Sequence, residues 1–323
     1  MIKTQNKQDF FITHLKTNPV MLAPLAGVTD LAFRTICRTF GCGMSITEMI
    51  SAKGLYYHNK NTADLMRTNE EDAPLTGLQI FGNEPALLSE VTAQYLNNTP
   101  FSFIDINMGC PMRKIVNNGD GSALMKDPQK AYAVVKSVSE HTSKPVSVKI
   151  RLGWDADHIN CNEVAAALEE GGASMLTVHG RTREALYSGK ADYSAIAQVV
   201  RQVHIPVVGN GDVTDLESYY KMKEITGCSG VMIGRGAMGN PFIFQELTHQ
   251  ENVPGALKQA TVKHHFNLTL ENRPEKIAVA EFRKHLAWYT KGLPKSAKIR
   301  ESVNHAVTKE AIYDLIDTII FPG

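Results

Sequence analysis

The sequence predicts an α/β chain: a (β/α)8 TIM barrel followed by a small C-terminal helical domain. Three observations carry that prediction. Eight short apolar runs recur along the first 245 residues, an amphipathic stretch follows almost every one, and the alternation stops after Phe244. Repetition of this kind over about 250 residues fits a closed parallel barrel better than a smaller doubly wound sheet.

The runs are Val20–Ala23, Met44–Thr47, Leu75–Ile80, Phe103–Ile106, Val146–Ile150, Met175–Val178, Val207–Val208 and Gly230–Ile233. They read as apolar without alternation, as parallel strands covered on both faces do. Helix signals lie between them. Asp30 is a cap for Leu31–Phe40, and Asn83-Glu84-Pro85 opens Ala86–Tyr95. Ala131–Ser139, Glu163–Glu170, Ile196–Val203 and Leu216–Ile225 continue the series. The fourth and fifth runs begin 43 residues apart, at Phe103 and Val146, so one enlarged loop is expected there. Residues 246–256 read as a linker, and 257–319 read as helical pieces broken near Pro274 and Pro294. The expected units are therefore a catalytic barrel over 1–245 and a basic helical domain over 246–323.

Composition narrows the function classes. Apolar residues make up 43% of 323, with 24 glycines besides, which is ordinary for a globular chain and excludes disorder or collagen. No run approaches the ~18 residues of a membrane helix, and the opening MIKTQNKQDFFITHLK lacks an apolar segment of signal-peptide length. Five scattered cysteines with no Cys-x-x-Cys fit reduced thiols, a cytoplasmic location and no metal site. Net charge is +1, yet residues 256–323 hold 11 basic against 7 acidic residues. Within 282–300 six basic residues occur with no acid. Such a stripe is either a solvated helix face or a footprint for a phosphodiester backbone.

Catalysis in a (β/α)8 barrel sits at the carboxyl ends of the strands. The residues at or just past the end of each run are Pro24-Leu25-Ala26, Glu48, Gln79, Asn107, Lys149-Ile150-Arg151, His179 with Arg181, Asn210-Gly211-Asp212 and Gly234-Arg235. Nearly every strand delivers a polar group to one rim, and buried without partners each would cost about 1–3 kcal/mol. Each alone has a plainer reading: Glu48 as a tie within the rim, His179 as a core histidine, Lys149 as half of an ion pair or as a Schiff-base nucleophile. The glycines of NGD and GRGAMGNP add backbone amides where barrels often bind phosphate, and Arg235 adds a two-pronged donor. A mononucleotide-like cofactor fits, flavin mononucleotide (FMN) above all. No GxGxxG follows the first run, so a dinucleotide fold is not indicated. The enlarged loop carries Cys110 between Gly109 and Pro111. A thiol near its reference pKa of ~8.5 is mostly protonated at neutral pH and serves as a general acid toward a basic carbon.

The segments APLAGVTDLAFR, LQIFG, DINMGCP, VKIRLGWD, TVHGRTR, PVVGNGDV, MIGRGAMGNPFIF and FRKHLAWYTKGLP resemble the tRNA-dihydrouridine synthase family, most of all its bacterial B-type branch. The resemblance implies tightly held noncovalent FMN, NADPH as reductant, and reduction of the C5–C6 double bond of specific uridines in tRNA to 5,6-dihydrouridine. It implies hydride transfer from flavin to C6 and a proton from Cys110 to C5. Flavin contacts are implied at Pro24, Leu25, Ala26, Gln79, Lys149, His179, Asn210, Gly211, Asp212, Gly234 and Arg235. Asn107 and Arg181 match positions near the target base, and the second domain is implied to bind tRNA, with Lys284 and Lys295 in its basic stripe. Leu25 stands where many relatives carry Met, a volume-conserving change.

Rival readings remain at this stage. An FMN-dependent dihydroorotate or dihydropyrimidine dehydrogenase uses similar flavin loops on a free pyrimidine, and leaves a basic tail without a task. A Schiff-base aldolase through Lys149 and a non-catalytic RNA-binding protein are the others.

Overall fold

The computed structural model describes residues 2–321 apart from 60, 61 and 63. Eight parallel barrel strands follow in chain order: β1 (Val20–Leu22), β2 (Met44–Ile46), β3 (Thr76–Phe81), β4 (Phe103–Met108), β5 (Val146–Ile150), β6 (Met175–His179), β7 (Val207–Asn210) and β8 (Gly230–Ile233). A two-residue continuation of β2, Ile50–Ser51, pairs with Ile80 and Phe81 of β3. The barrel closes where β1 meets β8 in the register Val20↔Val231, Met21↔Met232 and Leu22↔Ile233.

The strands alternate, contrary to the expectation of uniformly apolar runs. Outward residues such as Ile104, Ile106, Val146, Val148, Ile150, Leu176 and Val178 pack with Val134, Val138, Val164, Leu168 and Val199 of the surrounding helices. The inner face is a separate environment. Its lower layer is apolar, with Met21, Met44, Phe103, Met175, Val208 and Met232 closed from below by Phe11 and Leu15 of the helix Ile2–Thr17. The Phe11 and Phe103 rings meet edge to face at 5.1 Å. Above that layer the inner face turns polar at Asp105, Ser147 and Thr177, all fully buried. With a period of two, the next inward residues are those at the rim.

Two other segments differ from the sequence reading. The region expected as a linker begins inside the helix Ile243–His249, and a further helix starts at Gly255. The enlarged loop after β4 holds two short helical turns, Arg113–Val116 and Gly121–Lys126, before the barrel helix Pro128–Ser139.

Of the C-terminal helices, Gly255–Asn272 and Glu275–Tyr289 stand against the barrel helix Leu31–Thr39, and Ser296–His305 and Lys309–Thr318 pack on those two. Phe33 of the barrel helix packs against the rings of both His265 and His285, at 5.6 and 5.3 Å, and those two rings meet each other at 4.7 Å. One apolar cluster joins Phe33, Ile36, Val231 and Phe244 to Val262, Phe266, Phe282 and Leu286. Among the described residues no helix is long and apolar enough to cross a membrane.

Candidate active site

A cavity of about 980 Å³ opens at the carboxyl ends of the strands and is shared between the barrel and the helix Glu275–Tyr289. Pro24, Leu25 and Ala26 line it after β1, and Gln79, Asn107 and Cys110 from β3, β4 and the loop beyond. Lys149, His179, Asn210, Gly211 and Asp212 follow, then Gly234 and Arg235, with Lys284 from above. Three residues singled out in the sequence, Arg181, Lys295 and Glu48, do not line it. The guanidinium of Arg181 is spent on Ser188 O, Gly189 O and the Asp212 carboxylate, at 2.9, 2.7 and 2.7 Å. Lys295 caps the helix Ser296–His305 and lies outside the cavity. Glu48 accepts from the Gly27 amide, a tie between the first two strand ends.

The rim is a hydrogen-bonded ring. Lys149 Nζ donates to Asn210 Oδ1 at 3.1 Å, and Asn210 Nδ2 donates to Met232 O at 2.8 Å, so that side-chain amide is held from both ends. Lys149 therefore has an amide as its direct partner, not the carboxylate of an ion pair. Burial, reinforced by the Arg151 cation, pushes its pKa down to about 7, against the pull of Asp105. Burial pushes Asp105 the other way, up to about 6. His179 is held far below its ordinary value, by burial and by the surrounding cations of Lys149, Arg151, Arg181 and Arg235. It is therefore neutral, and because Arg181 can only donate to its Nε2, at 3.4 Å, the ring proton sits on Nδ1.

On the β7/β8 side Gly211 (φ +132°) and Asp212 (φ +57°) are consecutive left-handed residues. The amides of Gly211, Asp212 and Gly234 have no partner among the described residues. Asp212 turns its carboxylate to Arg181, to the Ala191 amide at 2.8 Å and to Arg235 at 3.4 Å. Free amides beside the half-exposed Arg235 form an anion cradle. Gly239 of the same motif does something else. At φ +71°, a Cβ there would stand 2.3 Å from the Trp288 carbonyl carbon, so this glycine admits the C-terminal helix.

The Cys110 turn is clamped by its backbone. Its amide donates to Asn107 Oδ1 at 2.9 Å, and its carbonyl accepts from the Ser122 amide and hydroxyl at 3.1 and 2.8 Å. Arg151 Nε donates to Gly109 O at 2.9 Å, while its other nitrogen reaches Thr182 O and Leu186 O. Burial raises the thiol pKa, so Cys110 is protonated at neutral pH. The four other cysteines are buried away from the cavity.

Sequence reading placed Arg151 at the end of the fifth run without giving it a role, and missed Tyr187, Trp288 and Lys291; all four line the cavity. Arg151 follows Lys149 at strand spacing, a signal that was available. Lys284, Trp288 and Lys291 fall at i, i+4 and i+7, one face of a helix, a second available signal. Tyr187 sits in the loop after β6 with its ring 4.5 Å from the Arg235 guanidinium, and nothing local in the sequence marks it.

Comparison with known proteins bears on this site. A family model described as dihydrouridine synthase matches residues 21–320. The chain is 38% identical over 301 residues to tRNA-dihydrouridine synthase B of Xanthomonas axonopodis pv. citri, covering 90% of each. It is 36% identical over 292 residues to a probable tRNA-dihydrouridine synthase of Rickettsia conorii, covering 88% of each. A solved structure described as "TcOYE with pHBA" matches with a TM-score of 0.52 at 12% identity, over 73% of this chain and 90% of that one, a likeness of fold.

Proposed function

The chain belongs to the dihydrouridine synthase family, in its bacterial B-type branch, and from that membership we propose that it reduces uridines in tRNA to 5,6-dihydrouridine, with FMN as resident cofactor and NADPH as reductant. The observation that carries the proposal is convergence on one cavity. A thiol, a hydrogen-bonded polar rim and an anion cradle all open into it, and the basic C-terminal helix overhangs it.

The donor set fits a flat, phosphate-ended cofactor. Unpartnered amides at Gly211, Asp212 and Gly234 suit a phosphate, with Arg235 as its charged partner. Gln79 and Lys149 offer N–H groups to the carbonyl and nitrogen edge of a flavin ring. When bound, FMN supplies the hydride that adds to C6 of the uracil.

The chain's own residues do the rest. Cys110 keeps its proton at neutral pH because burial raises the thiol, and delivers it to C5 as that carbon gains basic character. Lys149, poised near neutrality, offers a positive charge where electron density accumulates. His179 stays neutral and holds the rim without adding charge. Asn107 fixes the Cys110 turn through its side-chain oxygen. A uridine in folded RNA is stacked, so extruding it costs a few kcal/mol. Lys284 and Trp288 on one helix face, with Lys291 in the turn just past its end, supply two ammonium groups and a ring for the strand that carries it.

The test is flavin reoxidation. The protein reduced by NADPH is expected to be reoxidised anaerobically by tRNA lacking dihydrouridine, with stoichiometric dihydrouridine by mass spectrometry, and not by free uracil or orotate. Turnover of orotate with no response to tRNA would overturn the proposal and make the chain a free-pyrimidine enzyme.

A further inference from the structure

The wall of the cavity below the Cys110 turn contains a run of side-chain hydrogen bonds whose buried end, Asp105 with Ser147, the proposed chemistry does not use. At its buried end is Asp105, with no solvent exposure. Ser147 Oγ donates to its Oδ1 at 2.5 Å and Gln79 Nε2 to its Oδ2 at 2.7 Å. Asn107 Nδ2 then donates to Gln79 Oε1 at 2.9 Å. Asn107 Oδ1 accepts from the amides of Gly109 and Cys110, at 3.2 and 2.9 Å.

The direction of this run is over-determined. An ionised carboxylate can only accept, so Gln79 must turn its NH2 toward Asp105 and its oxygen toward Asn107. Backbone amides can only donate, so at the other end Asn107 must turn its oxygen toward Cys110 and its NH2 toward Gln79. Both ends demand the same orientation of both amides. With Gln79 and Asn107 buried, a reversed amide would leave polar groups unpaired in a dry site, where each is costly.

We infer that Asp105 is a positioning residue whose acceptor oxygen sets the direction of a two-amide relay, through Gln79 and Asn107, that holds the Cys110 turn in the cavity wall. The relay also leaves an N–H, not an oxygen, as the remaining function of Gln79 at the cavity, while the second N–H of Asn107 points to Met49 Sδ at 3.8 Å. The wall is thereby selective for ligand carbonyls over exocyclic amines. This part of the inference rests on the proposed pyrimidine chemistry; the hold on Cys110 does not.

The four other cysteines are buried, so iodoacetamide alkylation of the native protein, mapped by mass spectrometry, reports the Cys110 turn without any flavin or RNA. Asp105→Asn keeps an acceptor for Gln79 and a donor for the Ser147 oxygen; Asp105→Leu keeps volume and removes the acceptor. The expected result is Cys110 alkylation at least tenfold faster in Asp105→Leu and within twofold of the parent in Asp105→Asn. Should Asp105→Leu fail to fold, Gln79→Met cuts the relay one step later, with the same expectation. Alkylation unchanged in whichever of these folds, or equally fast in Asp105→Asn, overturns the relay. A second arm reads dihydrouridine formation, where kcat is expected to fall with Asp105→Leu while KM for tRNA holds within twofold. Faster alkylation with unchanged kcat would leave the relay standing and remove Cys110 from the chemistry.

Discussion

Lys149→Met isolates the cost of keeping an ammonium in the barrel mouth. In the folded chain the Lys149 pKa is about 7, against an ordinary lysine value of 10.5. Below pH 7 the amine is charged in both states, and the folded protein bears the full desolvation penalty. The ~3.5-unit gap corresponds to about 5 kcal/mol as an upper bound. Lys149 is only half-buried and borders the open cavity, so the realised penalty is smaller. As pH rises past 7 the folded chain releases this proton while the unfolded chain keeps it, so the parent gains stability relative to the variant. At pH 7.5 Lys149→Met is expected to be the more stable protein without cofactor. Its advantage should shrink by about 1–3 kcal/mol by pH 9.5, since two pH units at ~1.4 kcal/mol each set the ceiling. Asp105, at about 6, is ionised in the parent across this window, which keeps its own titration out of the parent's curve. Urea denaturation of cofactor-free protein at several pH values measures it. Parallel stability curves, or an advantage that grows with pH, would refute an uncharged Lys149 and with it the reading of burial at the rim.

Two other substitutions test separate parts of the site. Cys110→Ala is expected to retain FMN and tRNA affinity while dihydrouridine formation slows by about 10²–10⁴-fold, the usual contribution of a general acid; single-turnover product quantification checks it. Lys284 lines the cavity and Lys295 does not, so Lys284→Glu should weaken tRNA binding more than Lys295→Glu and flatten the plot of log affinity against log salt more; a filter-binding salt series decides between them.

The rim was legible because a strand end announces itself. Gln79, Asn107, Lys149, His179 and Asn210 each terminate an apolar run, and closure of the barrel necessarily gathers strand ends. Asp105, Ser147 and Thr177 were not read as a site because an inward residue of a closed barrel faces neither the helices nor solvent. Polar letters within LQI, DIN, SVKI and TVH marked that inner face by their period of two. Arg181 has the same inward phase as His179, yet it braces Asp212 and the loop carbonyls at 188 and 189, partners fixed only by the fold. In the basic stripe a count of charges carried no phase. Helical spacing puts Lys284 with Lys291 toward the cavity, while the break at Pro294 sends Lys295 to the cap of the next helix.

The contact between the tail and the barrel gives that phase its consequence. Lys284 and Trp288 act at the cavity only if their helix keeps one rotation and one height above the rim. Three features fix both: the Phe33 ring packed against the His265–His285 pair, the apolar cluster running from Val231 and Phe244 into Phe266 and Leu286, and the close backbone approach of Gly239 to Trp288. Rotating the helix by one residue, about 100°, would carry Phe282 and Leu286 out of that cluster. Leaving two such side chains in water costs about 1.5–3 kcal/mol each. The same apolar face that makes the tail fold therefore registers its lysines over the cavity, so the surface proposed for RNA is a by-product of core packing.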